Sequence, residues 1–122
     1  MLVENYFSQL ESLIDSCGSI RSKIITKDKR SDYTGYFRAD LYFHNGSRLH
    51  VREFVFTRQE VIKDTYVYHY QNTAEELIFR YDNTRHFPDL PNFPHHKHTP
   101  KAVVSTTEPD LKHILDEVLI IS

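Results

Sequence analysis

Four of the eight histidines, His86, His95, His96 and His98, fall within thirteen residues, in the stretch RHFPDLPNFPHHKH. An imidazole changes charge near neutral pH, so such a cluster can transfer protons, ligate a metal or simply hydrogen-bond a loop. Arg80 and Asp82, in the RYDN just upstream, add a guanidinium and a carboxylate that one strand would turn to the same face. In an extended segment His96 and His98 also point the same way, with His95 and Lys97 opposed.

Three chemistries fit these residue types. The first is cleavage of an RNA phosphodiester without metal, which needs a base for the 2′-hydroxyl, an acid for the departing 5′ oxygen and cations around phosphorus. His96 and His98 suit the proton transfers, with His95 beside them. Arg80 and Lys97 suit the phosphate, and Glu53 or Asp82 would orient a histidine or set its charge. Tyr66 and Tyr68 offer rings for unpaired bases, and Arg52 a further cation. The second chemistry is a divalent metal held by His96 and His98 with His86 or Asp82, although the spacing matches no zinc signature. The third is a hydrogen-bonded loop or a docking surface for a partner protein. The residues alone leave all three open. His44, His50, His69 and His113 read as ordinary surface or sheet histidines.

Placing these groups is the task of the elements around them. Prolines 88, 91 and 94 recur every third residue, each after an apolar side chain, which is the repeat of polyproline II. At ~3.1 Å per residue, positions 87–94 would make a rod of roughly 22 Å that carries the histidines. Upstream, YFRADLYFHNGSRLHVREFVF alternates on both sides of Asn45-Gly46 and predicts a hairpin. A three-residue turn with Gly46 left-handed pairs Phe43 with Leu49, Leu41 with Val51 and Phe37 with Val55, giving one apolar face. The other face then sets Asp40 opposite Arg52 and Tyr42 opposite His50. Glu53 lands on the apolar face opposite Ala39, where a carboxylate needs partners.

TYVYHYQ and ELIFRYD predict a second hairpin, with Tyr66, Tyr68 and Tyr70 on one side and Val67 and His69 on the other. SIRSKIITK reads as a first strand, and KDKRSD as a charged turn. Val3, Phe7, Leu10, Leu13 and Ile14 form a helical stripe near the start. Leu111, Ile114, Leu115 and Val118 form another at the end, with Thr107 as its expected N-cap and Pro109 in its first turn. The expected fold is a single α+β domain over residues 1–122, an antiparallel sheet of about five strands flanked by an N-terminal and a C-terminal helix.

Composition narrows the function classes. Fifteen basic and seventeen acidic side chains give a net charge of −2, so contact with phosphate must rest on a local patch. A lone Cys17 excludes an internal disulfide, and neither a membrane-length apolar run nor a signal peptide is evident, so a cytoplasmic protein is expected.

The order REF (52–54), YVYHYQ, LIFRYDN and FPHHKH resembles the TumE family of bacterial and archaeal toxins, over roughly residue 50 to the final helix. The resemblance implies a small cytoplasmic toxin that acts as a ribonuclease and has a cognate antitoxin as partner. The metal-independent chemistry expected from the residues needs no cofactor, a divalent metal being the alternative, and a homo-oligomer is compatible. Carried over by position, its motif residues are Arg80, Asp82, His95, His96 and His98, with Glu53 and Tyr68. The family's usual text after Asp-Asn is a proline and two histidines, whereas this chain has Thr84-Arg85-His86. The alternatives are a non-catalytic partner-binding protein from such an operon, and a metal-dependent hydrolase.

Overall fold

The computed structural model describes residues 1–121, which form two helices and seven strands. Helix α1 (Val3–Asp15) is followed by β1 (Ile20–Ser31), β2 (Thr34–Phe43), β3 (Arg48–Phe56), β4 (Ile62–Gln71) and β5 (Leu77–Asp82). Two three-residue strands, β6 (His96–His98) and β7 (Val103–Ser105), precede α2 (Leu111–Ile121). All seven strands lie in chain order in one antiparallel meander, and both helices cover the same face. The expected α+β architecture is present, with two more strands than expected.

The covered face carries the core. Phe37, Leu41, Leu49, Val51, Tyr66, Tyr68, Tyr70 and Phe79 meet Val3, Phe7, Leu10 and Ile14 of α1 and Leu111, Ile114 and Val118 of α2. Both apolar stripes are the ones the helical spacing predicts. Gly35 has a specific reason to be glycine: a Cβ there would lie 2.7 Å from Phe7 Cζ and 3.0 Å from the Asp28 carbonyl.

Four local expectations change. KDKR belongs to β1 and not to a turn, because Lys27 and Lys29 face α1 and pair with Glu11 and Glu4. Four residues separate β2 from β3, and because Phe43 N–H bonds Ser47 O the turn proper is three residues, 44–46, with the left-handed Gly46 as its last residue and not its middle one. Gly46 N–H donates to Phe43 O, closing a turn after which the left-handed position must follow. The pairing therefore slips by two: Leu41 faces Leu49, Ala39 faces Val51 and Phe37 faces Glu53. On the other face Asp40 meets His50 and Tyr42 meets Arg48. A slip of two keeps every side chain on its expected face.

The proline segment is not a polyproline rod. Leu90 N–H donates to Phe87 O, Phe93 N–H to Leu90 O and His95 N–H to Asn92 O, so it folds as successive turns. Pro88 and Pro91 occupy second positions, which their fixed φ suits, and Asn92 takes φ 63° as the third residue of its turn. Finally, α2 starts after Pro109. Asp110, and not Thr107, caps it: its Oδ1 accepts from His113 N–H at 2.8 Å, and its carbonyl from Ile114 N–H.

Candidate active site on the open sheet face

The face without helices collects the polar members of every strand. One row of direct cross-strand neighbours runs Asp40, His50, His69, Arg80 and His98, from β2 to β6. The next row runs Arg38, Arg52, Val67, Asp82 and His96. Period-two alternation puts each of these side chains opposite the core, and the meander brings them side by side.

Two aspartates organise the rows. Asp40 Oδ1 accepts from Arg48 Nη2 at 2.5 Å and sits 2.8 Å from His50 Nδ1. Burial pushes this carboxyl up, but the hydrogen bonds and charges of Arg48 and His50 outweigh that and hold it below the usual range. Asp82, only 2% exposed, accepts from Arg80 Nε at 3.0 Å, Thr84 N–H at 3.1 Å and Thr84 Oγ1 at 2.8 Å. Burial again opposes ionisation; the Thr84 and Arg80 hydrogen bonds and the His96 charge override it and lower its pKa.

Between these anchors lies a cleft of about 300 Å³ lined by Arg48, His50, His69, Gln71 and Arg80. His69 Nδ1 is buried and has no hydrogen-bond partner among the described residues. Burial, then the charges of Arg80, His50, Arg48 and His98, push its pKa below the ordinary histidine value, so it is neutral at pH 7. Two imidazoles held between two guanidiniums can exchange protons with, and neutralise, a bound phosphodiester.

At the β5–β6 end, Asp82 faces two imidazoles. His96 Nε2 lies 2.9 Å from Asp82 Oδ1, and His98 Nε2 3.5 Å from Oδ2. His96 is 1% exposed, covered by Phe87, whose ring centroid lies 5.0 Å from its own and 5.9 Å from that of His98. The turns of the proline segment thus lay Phe87 over the histidines. Among the described residues, Asp82, His96 and His98 could hold a metal, their ligand atoms all within 4.8 Å of one another. His86 is exposed and outside that group.

The family model described as toxin TumE matches residues 10–121. The chain belongs to the TumE toxin family. No curated protein and no solved structure matches it. The residues carried over from the TumE resemblance fall into two sets separated by the sheet. Arg80, Asp82, His96 and His98 meet on the open face, as the alternation predicts, and Arg52 lies there too.

The other expected site residues lie on the covered face. His95 stacks on Tyr66 and its Nδ1 is 2.8 Å from Tyr66 Oη. Lys97 is not beside Arg80; it reaches Glu117 of α2 at 2.7 Å. Tyr66 and Tyr68, at 1% and 0% exposure, leave no ring face for a base to stack on. Glu53 is 1% exposed and accepts from both Tyr6 Oη and Tyr68 Oη, so two hydroxyls solve its burial. Lys63 extends this chain, donating to Tyr68 Oη at 2.9 Å and to the Pro109 carbonyl; burial lowers its pKa. Burial, then Glu53, raises the pKa of Tyr6 and Tyr68. This cluster ties β3 and β4 to α1 and to the segment leading into α2, on the opposite side of the sheet from the cleft.

His50 and His69 line the cleft, although the sequence reads them as ordinary surface or sheet histidines. Parity could have found them: His69 opposes the tyrosines on β4 just as Arg80 opposes Phe79 and Tyr81 on β5. No described helix is long and apolar enough to cross a membrane.

Proposed function

We propose that this TumE-family toxin is an endoribonuclease, restrained by a cognate antitoxin, that cleaves RNA in the open-face cleft by imidazole acid–base chemistry. The observation that carries the reading is one cleft lined by His50, His69, Arg48 and Arg80. Neutral His69 removes the proton of the 2′-hydroxyl. The freed oxygen attacks phosphorus, and His50, whose Nδ1 is fixed by Asp40, protonates the departing 5′ oxygen. Arg48 and Arg80 take up the extra negative charge at phosphorus. His96 is too covered to reach a substrate, and His98 stands against Asp82 at the cleft's edge. Arg80 keeps its expected phosphate role, while the proton work moves to the histidines that line the cleft.

The attacking group is the substrate's own 2′-hydroxyl, so the chemistry is confined to RNA. The test is to incubate the chain with an RNA and a DNA of the same sequence. Cleavage of the RNA and none of the DNA is the expected result. Equal cleavage of both would rule out attack by the 2′-hydroxyl.

A further inference from the structure

The His96 ring poses a problem that hydrogen bonding does not solve. Its Nδ1 is 2.9 Å from the Pro94 carbonyl, to which it donates, so the neutral ring carries a lone pair on Nε2. That nitrogen is buried, lacks a hydrogen-bond partner among the described residues, and lies 2.9 Å from a carboxylate oxygen. Two electron-rich atoms this close call for a shared cation, either a proton on Nε2 or a metal ion.

We infer that Asp82, His96 and His98 bind a divalent transition-metal ion of the zinc class. With bonds of ~2.0–2.1 Å and tetrahedral angles, ligand atoms stand about 3.4 Å apart. His96 Nε2 lies 2.9 Å from Asp82 Oδ1 and His98 Nε2 3.5 Å from Oδ2, so each carboxylate oxygen stands near that spacing from one imidazole. One ligand atom from each residue falls within 4.8 Å of the others. Two imidazole nitrogens and one carboxylate form a donor set that suits zinc and its first-row neighbours and leaves a fourth position for water.

The surroundings support the same assignment. A ligating imidazole usually gives its other N–H to a carbonyl, as His96 gives Nδ1–H to Pro94, and a ligating carboxylate is itself hydrogen-bonded, as Asp82 is by Thr84 and Arg80. Phe87 packs against both rings and excludes water from one side. Lys97, between two ligands in sequence, turns to the other face and is neutralised by Glu117, so its charge does not oppose the ion. An ion here would fix Asp82, and through it Arg80. Only that consequence for the cleft rests on the ribonuclease reading; binding of the ion does not.

The test uses the full chain, stripped with a chelator, titrated with Zn²⁺ against a chromophoric zinc chelator and with Co²⁺ by visible absorption. One equivalent should bind per chain. His98→Gln, at a partly exposed position, should bind at least about 100-fold more weakly, as loss of a direct ligand exceeds loss of an outer-shell partner. Asp82→Asn should show the same loss, while His86→Gln and His50→Gln should bind as the parent does. A folded parent chain that takes up no stoichiometric Zn²⁺ overturns the inference, as does a His98→Gln variant with unchanged affinity. Zinc binding without RNA cleavage supports the site and removes only the ribonuclease reading; RNA cleavage without zinc binding does the opposite.

Discussion

His69 stands directly opposite Arg80 in the β4–β5 ladder, on the face that no helix covers. The guanidinium is one of the charges that keep the imidazole neutral, after burial itself. A general base must be unprotonated, so cleavage should be lost as pH falls through the His69 pKa. That value lies below the ordinary ~6.5 of histidine. Activity should therefore persist to more acid pH than an unperturbed histidine allows. Replacing Arg80 with Gln removes a repelling cation, so the acid limb of the kcat/KM profile should move to higher pH while activity falls by ~10²–10³. An unmoved limb in this variant would separate Arg80 from His69.

Truncating the two cleft imidazoles should abolish most of the proton transfer. His50→Ala and His69→Ala are each expected to lower kcat by roughly 10²–10⁴. Both chains should remain folded by circular dichroism, because neither ring belongs to the core, with His50→Ala losing in urea only the share of stability that His50 supplies through Asp40. Single-turnover cleavage measured beside those folding controls distinguishes a chemical role from a structural one.

Asp40 should make stability acid-sensitive. Its folded pKa is depressed, so its contribution is complete above the unfolded value near ~3.9 and disappears as pH falls through the lower folded value. Urea midpoints taken from pH 6 down to pH 2 should drop across that window. Asp40→Asn should be less stable at pH 6 and show a shallower drop, since Arg48 and His50 then lack their shared carboxylate.

Glu53 and Tyr68 should affect folding and not RNA binding. Glu53→Ala leaves Lys63 without the carboxylate that most favours its charge and two tyrosine hydroxyls without their acceptor, at about 3–5 kcal/mol. Tyr68→Phe should cost ~1–3 kcal/mol and leave RNA affinity unchanged, because the ring is covered. A folded Tyr68→Phe chain that binds RNA several-fold more weakly would contradict this placement.

Gly35→Ala tests how α1 sits on the sheet. The added methyl collides with Phe7 and with the Asp28 carbonyl, and overpacking of this kind costs typically ~1–3 kcal/mol. Phe7→Leu, destabilising alone, should recover part of that loss when combined with it, which a double-mutant cycle in urea measures.

Much of this architecture is legible in the sequence because side-chain parity survives errors of register. The two-residue slip at Asn45-Gly46 altered every β2–β3 partner yet left Glu53 on the buried face and Arg52 on the open one. The α1 and α2 stripes are legible for the same reason: periodicity records which side is buried. β6 and β7 are illegible because three residues are too few to display alternation. The outer half of β1 is hidden because its inward residues are lysines paired to acids on α1, so polarity does not alternate. The proline repeat misleads, since a period of three suits consecutive turns as well as an extended rod. The candidate site was half legible: local clustering pointed to Arg80, Asp82, His96 and His98, but His50 and His69 each stand on a strand with no second histidine beside them and become neighbours only through strand pairing.

The most direct measurement is cleavage of a single-stranded RNA by the pure chain in excess chelator, with the product ends identified. The account predicts 2′,3′-cyclic phosphate and 5′-hydroxyl ends, formed by the parent chain and not by folded His69→Ala. Cleavage that appears only on adding a divalent metal, or a His69→Ala chain that cuts at the parent rate, would contradict it.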